Sequence, residues 1–346
     1  MIQSRAPRIL LIRFSSFGDV TQSLSIPTRL SELSPAHGGL EVHWVTRKDM
    51  APLLESHPHI TKIWTLDKTE GIRGLWALIQ DLKKAHFTHI YDAHNNMRSH
   101  LISWFLRPPL AVTRWFDPPL FLRKSQKIWK RLLLFRFRIN TYEMPFSGQR
   151  DLLEPLTQWG LSKELPPAPQ IVIAETALAQ AKKQISFKSF IALAPSAAYP
   201  LKRWPLEHFK KLIELSADQK FVCLGGPQDI FISDLVKSAP ERVLDLSGKT
   251  SLSESAAILS LAKGLVTNDT GLLHVAEQLG KKTIALMGPA PFGFPSRPST
   301  KIMELNLPCR PCSKHGQGPC VNTKLQRCLV DIGPEQVSNE MAQWII

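Results

Sequence analysis

The feature that most constrains this chain is an alternation of strand and helix patterns that stops at a proline cluster and then starts again. Arg8–Phe14, Leu40–Thr46, Lys62–Asp67 and His89–His94 read as short strands. Helical spacing of apolar residues predicts helices at 20–33, 74–87 and 96–106. Pro27 falls inside the first helix and predicts a kink, because proline donates no hydrogen bond and its ring crowds the preceding turn. Leu165–Pro169 (LPPAP) breaks the pattern and reads as a linker. Beyond it, strands are expected at 190–196, 220–226, 243–247, 264–269 and 282–288, with helices at 205–217, 230–237, 253–262 and 270–279. Strands that alternate with helices imply parallel sheets covered by helices. The expected fold is therefore α/β, with two Rossmann-like domains, residues 1–165 and 166–330, facing a central cleft.

Composition agrees with that size and class. The 346 residues correspond to about two domains at roughly 150 residues each. Hydrophobic residues at 43% and charged residues at 21% exclude a disordered chain, a collagen-like chain and a small disulfide scaffold. No apolar run approaches the ~18–20 residues of a membrane span. The N-terminus lacks the apolar core and cleavage site of a signal peptide, which predicts a cytoplasmic protein. The net charge is +14, and Arg123–Arg138 (RKSQKIWKRLLLFRFR) carries seven basic residues and no acid. Such a run suits an anionic partner or, more simply, a solvated face. Its interleaved Trp, Leu and Phe favour a membrane surface. No helix-turn-helix, zinc-finger or RNP pattern points to nucleic acid.

Ligands of open parallel sheets bind beyond the carboxyl ends of the strands, so residues there are the candidates. Asp19, in Ser15–Asp19 after the first strand, reads either as a helix N-cap or as a carboxylate base. Asn268–His274 (NDTGLLH) joins a strand to a helix; Thr270 and Gly271 expose backbone N–H groups at the helix start, a ready phosphate site. His274 lies one turn on, where it could reach a phosphate or be a satisfied, partly buried histidine; Asp269 and Thr270 also suit capping. Lys202 and Arg203 stand at another strand-to-helix junction, as phosphate ligands or as an exposed basic turn. Asp229 follows Gly225 and Gly226, where it could accept bonds from a ribose or base, or simply cap a helix. Neither a Walker A loop nor a G-x-G-x-x-G motif is present.

The runs SSFGDV, KRWPLEHFKKL, GGPQD and NDTGLLHVAEQLGKKTIALMGP come in the order and spacing of the ADP-heptose:lipopolysaccharide heptosyltransferases, glycosyltransferase family 9, and the chain resembles that family over most of its length. DAHNNMRSHLISWFL and the cysteine-bearing C-terminal run also resemble family segments. The resemblance implies a GT-B fold, with an acceptor domain at 1–165, a donor domain at 166–330, and the last helix (331–346) packing back on the N-terminal domain. It implies inverting transfer of heptose from ADP-heptose to the Kdo/heptose inner core of lipopolysaccharide. Asp19 matches the general base and Lys202 a ligand of the donor phosphates. Asp229 matches a position beside the nucleoside, and Asp269 one that holds the donor sugar hydroxyls. Thr270, Gly271 and His274 match the phosphate-binding turn, and Arg98 and Ser99 the acceptor side. No catalytic metal or other cofactor is implied. The partners would be ADP-heptose, Kdo-lipid A or heptosylated Kdo-lipid A, and the inner face of the cytoplasmic membrane. Two rivals are a same-fold enzyme using another nucleotide sugar or acceptor, and a non-catalytic binder of anionic glycolipid.

Cys309, Cys312, Cys320 and Cys328 form C-x2-C-x7-C-x7-C. Three readings stand: a structural zinc site, reduced thiols packing a loop, or a redox pair. His315 is a substitute ligand or a surface residue, and Cys223 reads as core.

Overall fold

The computed structural model describes residues 6–34, 39–107 and 119–344. They form two compact units, one of 1–127 with 149–172, the other of 128–148 with 173–346. The division thus falls after Val172 rather than at the proline cluster, and residues 128–148 group with the second unit.

In the first unit the elements run β1 (Arg8–Ile12), α1 (Phe17–Gln22), α2 (Ser25–Leu30), β2 (Glu41–Arg47), β3 (Lys62–Leu66), α3 (Gly71–Lys84), β4 (His89–Asp92), α4 (Met97–Leu106) and β5 (Leu120–Arg123). The five strands are ordered β3-β2-β1-β4-β5 and all pair in parallel, Ile9 lying opposite Val42 on one side and His89 on the other. Ile9, Leu10, Leu11 and Ile12 are fully buried, as a central strand covered on both faces requires. Leu10 and Ile12 pack with Leu75, Leu78, Ile79 and Leu82 of α3; each such buried side chain contributes about 1.5–3 kcal/mol. The expected kinked helix is two helices, parted at Ser23–Leu24. The break lies four residues before Pro27, where the proline ring would strike the carbonyl of Ser23.

The chain continues through α5 (Ile128–Phe137), α6 (Gly148–Leu153), α7 (Glu175–Gln184), β6 (Ile191–Ala194), α8 (Leu206–Leu215), β7 (Phe221–Cys223), α9 (Ser233–Ser238), β8 (Val243–Asp245), α10 (Leu252–Leu261), β9 (Leu265–Asn268), α11 (Gly271–Leu279), β10 (Thr283–Leu286), β11 (Thr300–Met303), α12 (Arg327–Val330) and α13 (Pro334–Ala342). The second sheet has six parallel strands in the order β11-β10-β9-β6-β7-β8. α5 belongs with this unit through aromatic contacts: Phe135, Tyr142 and Phe146 each meet the ring of Phe292 edge-on. The last helix, α13, lies against α8 and β10 of its own unit, with Val337 and Met341 in that unit's core.

The basic run is also less free than its composition suggests. Arg123 pairs with Asp92, Lys124 and Lys127 pair with Asp151, and Arg138 donates to the Pro311 carbonyl. No helix among the described residues is long and apolar enough to cross a membrane.

Candidate active site

Strand order locates the sites before any side chain is considered. In the first sheet the direction of winding reverses between β1 and β4; in the second it reverses between β6 and β9. Such switch points are where the loops after two adjacent strands part and leave room for a ligand. Asp19 follows β1 and His94 follows β4, whereas Lys202 follows β6 and Asp269 follows β9.

At the first switch point Asp19 stands in the opening turn of α1. One carboxylate oxygen meets the Arg13 guanidinium at 2.8 Å. The other accepts from the Ser16 backbone N–H at 3.1 Å and the Ser16 hydroxyl at 2.8 Å. Enclosure by the protein raises the Asp19 pKa, but Arg13, both Ser16 bonds and the charge of Lys124 outweigh it and hold the carboxyl below its ordinary value. The side chain is nevertheless 46% exposed. Arg13 is itself buried and braced by the Ala93 carbonyl at 2.6 Å. His94 packs edge-on against Phe14, ring centres 5.6 Å apart, and burial lowers its pKa to about 4. It is a neutral imidazole near neutral pH. Asp19 is thus the third residue of a capping box whose N-cap is Ser16, rather than the N-cap itself.

The two acceptor-side candidates part company. Arg98 is exposed at the start of α4. Ser99 is fully buried; its hydroxyl donates to Asp92 at 3.0 Å and also accepts from the Asn96 N–H. Ser99 therefore shapes the turn after β4, together with Asp92 and Arg123, and does not present its hydroxyl to a ligand.

At the second switch point Lys202 Nζ lies 2.6 Å from Asp269, the two side chains only 15% and 6% exposed. Asn268, fully buried, binds their two loops together: its oxygen accepts from Trp204 N–H at 2.9 Å and its amide donates to the Pro195 carbonyl at 2.8 Å. Thr270 caps α11, its hydroxyl oxygen accepting from Leu272 N–H at 3.1 Å. Gly271 opens the helix. The sequence reading found these residues but not their supports. Glu277, fully buried, accepts from His274 Nδ1 at 3.0 Å, from Arg297 N–H at 2.7 Å and from Ser296 N–H. That fixes the His274 ring and leaves Nε2 as its available nitrogen. Gly293 comes so close that a Cβ would lie 1.9 Å from an Asp269 oxygen, so no side chain is tolerated there. An E three residues after the H, and a G in a Pro-rich loop, were the only sequence signals for these roles.

Asp229 turns inward. It is buried, accepts from Gly226 N–H at 2.7 Å and lies 3.7 Å from Arg203. As it stands, it closes the GGPQD turn.

The cysteine-bearing segment braces the Lys202 turn. Gln317 donates to the Tyr199 hydroxyl at 2.9 Å and Gln326 to the Pro200 carbonyl at 2.8 Å. Gly316, at φ +83°, lies flat on the Lys202 side chain, where a Cβ would approach to 2.5 Å. All five cysteines are free thiols. Among the described residues no group of three or more His, Cys, Asp or Glu is arranged to hold a metal ion. Burial, with the neighbouring thiols of Cys309, Cys312 and Cys320, pushes the Cys328 thiol up to about 11, which favours the protonated form.

The two parallel-sheet units have the GT-B architecture. Solved structures agree: a family 9 glycosyl transferase from Veillonella parvula superposes with a TM-score of 0.77 at 21% identity, covering 100% of this chain and 98% of that one. The E. coli ADP-heptose lps heptosyltransferase II gives 0.72 at 20% identity, covering 98% of each. The model of glycosyltransferase family 9 (heptosyltransferase) matches residues 75–322, and the chain belongs to that family. Lipooligosaccharide heptosyltransferase 2 of Haemophilus ducreyi is 26% identical over 97% of this chain and 99% of its own length. Lipopolysaccharide heptosyltransferase 2 of E. coli K12 is 25% identical over 96% and 97%.

Proposed function

We propose that this glycosyltransferase moves a heptose from ADP-heptose to the Kdo/heptose inner core of lipopolysaccharide, with inversion and without a catalytic metal, at the inner face of the cytoplasmic membrane. The observation that carries this reading is the Asp19 carboxylate, charged through Arg13 and Ser16 yet open on one side. In the proposed reaction an acceptor hydroxyl oxygen attacks the anomeric carbon from the face opposite ADP. The new C–O bond forms, the bond to the diphosphate oxygen breaks, and Asp19 takes the hydroxyl proton. A carboxylate with a lowered pKa is a weak base toward a resting hydroxyl. It takes the proton late, once the attacking oxygen has become acidic.

Lys202 and the N–H groups at the start of α11 would meet the departing diphosphate, a fixed positive environment for developing charge. Asp269, beside Lys202, would hold donor sugar hydroxyls, and His274 Nε2 would donate to a phosphate oxygen with the ring protonated at both nitrogens, Nδ1–H remaining on Glu277. Asp229 would accept from the nucleoside through the carboxylate oxygen that Gly226 does not occupy. The names of the relatives support the lipopolysaccharide acceptor.

The test is turnover with ADP-heptose and chelator present, on Kdo2-lipid A and on monoheptosylated Kdo2-lipid A, followed by ADP release and product mass. The reading expects one heptose added to one of the two acceptors with an inverted anomeric centre. Retained configuration, or turnover only with another nucleotide sugar, would overturn it.

A further inference from the structure

We infer that the outward face of α3 and α4 is an interfacial docking surface for anionic lipid. α4 is apolar on both sides. Ile102 and Leu106 are buried in the core, yet Met97, Leu101 and Trp104, at i, i+4 and i+7, form a second stripe that is 79%, 41% and 59% exposed. On α3, Ile72 and Trp76, one turn apart, are 86% and 48% exposed. The Trp76 ring meets Phe105 of α4 edge-on at 5.0 Å, so the two stripes form one face. Exposed apolar side chains scattered singly are ordinary, but a contiguous apolar face of this kind marks a surface that something other than water covers.

The charges on the face select the occupant. Arg73, Lys83, Arg98 and Arg107 are exposed around the apolar stripe, and Lys83 also sits over the Phe105 ring at 5.2 Å. The acids nearby are Glu70 and Asp81, and Asp81 is paired with Lys84 at 2.8 Å. A second copy docked through a twofold axis would set these cations against their own images. An anionic headgroup layer complements them, while Trp and Leu enter the acyl boundary. α5 also exposes apolar residues, but the basic run that leads into it is already committed at Arg123, Lys124 and Lys127. α4 begins two residues after Asn95 and three after His94, the residue packed on Phe14 beside Asp19. The stripe therefore starts at the edge of the first switch point. This deepens the proposed function: a lipid-anchored acceptor could keep its chains in the bilayer along α4 while its sugar reached Asp19.

The experiment is co-sedimentation with phosphatidylcholine vesicles, with and without phosphatidylglycerol, over a salt series. It compares wild type with Ile72→Ser/Trp104→Ser and Arg73→Gln/Lys83→Gln. Each variant is also assayed with ADP-heptose and a deacylated, water-soluble acceptor. Wild type is expected on anionic vesicles only and to be released by salt. Each double variant is expected to lose about tenfold or more in partition with turnover on the soluble acceptor unchanged. Equal partition of wild type and variants would overturn the docking surface, whatever the turnover. So would absence of vesicle binding together with a salt-insensitive dimer that the Ile72→Ser/Trp104→Ser variant dissolves. Face-dependent vesicle binding with no turnover by any form would support the docking surface and count against the donor–acceptor reading instead.

Discussion

Each unit places a carboxylate at its switch point and pairs it with a cation, Asp19 with Arg13 at 2.8 Å and Asp269 with Lys202 at 2.6 Å. The pairs differ in what is left open. Asp19 keeps 46% of its side chain exposed with its cation buried behind it, whereas Asp269 is only 6% exposed and closed in by Gly293. In the proposed reaction, similar residues at equivalent places in similar folds would divide the chemistry by burial. The open carboxylate is charged and accessible, as a proton acceptor must be. The closed pair is a rigid polar wall, suited to holding a ligand that enters with its own charge.

The sharpest way to break this comparison is Asp19→Asn. Turnover should fall by about 10³-fold, while ADP-heptose affinity, measured by titration calorimetry, stays within about threefold. An equal loss of both would make Asp19 a binding residue like Asp269. Next comes Lys202→Ala, which strands Asp269 in a buried site. Chemical denaturation should show a loss of about 3 kcal/mol, and Lys202→Ala/Asp269→Ala should recover part of that stability without recovering activity. Glu277→Leu removes the acceptor from His274, Ser296 and Arg297 together; about 2–3 kcal/mol of stability should go, with weaker donor binding. The smallest effect is Thr270→Val, which removes only the α11 cap, about 1 kcal/mol in thermal unfolding.

Much of the fold was legible because parallel strands covered on both faces must be apolar and helices must carry a periodic face. β1, β4, β6 and β9 all stood out for that reason, and they are the strands that frame the switch points. Of the four edge strands, β3 and β8 were read but β5 and β11 were not. β5 (LFLR) and β11 (TKIM) are half-exposed and blend into a basic run and a loop. Asp19, Lys202, Asp269, Thr270, Gly271 and His274 could be singled out from the sequence by their local chemistry, and they lie after β1, β6 and β9 at the two switch points. Their supports were not, because Arg13, Asn268 and Glu277 act through partners from distant loops that sequence spacing does not reveal. Ser99 was misread for the converse reason, a polar residue whose hydrogen bonds are all local or buried.

The central claim is that an Asp19 kept charged by Arg13 accepts the acceptor's proton, and its most direct test is the pH–rate profile of wild type against Arg13→Met. The folded pKa of Asp19 lies below its ordinary 3.8. Its charge, and whatever stability that charge contributes, is therefore fully present above that value and lost only as pH falls through the lowered one. The account predicts that wild-type kcat/KM shows no acid limb attributable to Asp19 down to that value, and that Arg13→Met moves an acid limb upward into the accessible range. An acid limb identical in the two proteins would contradict it.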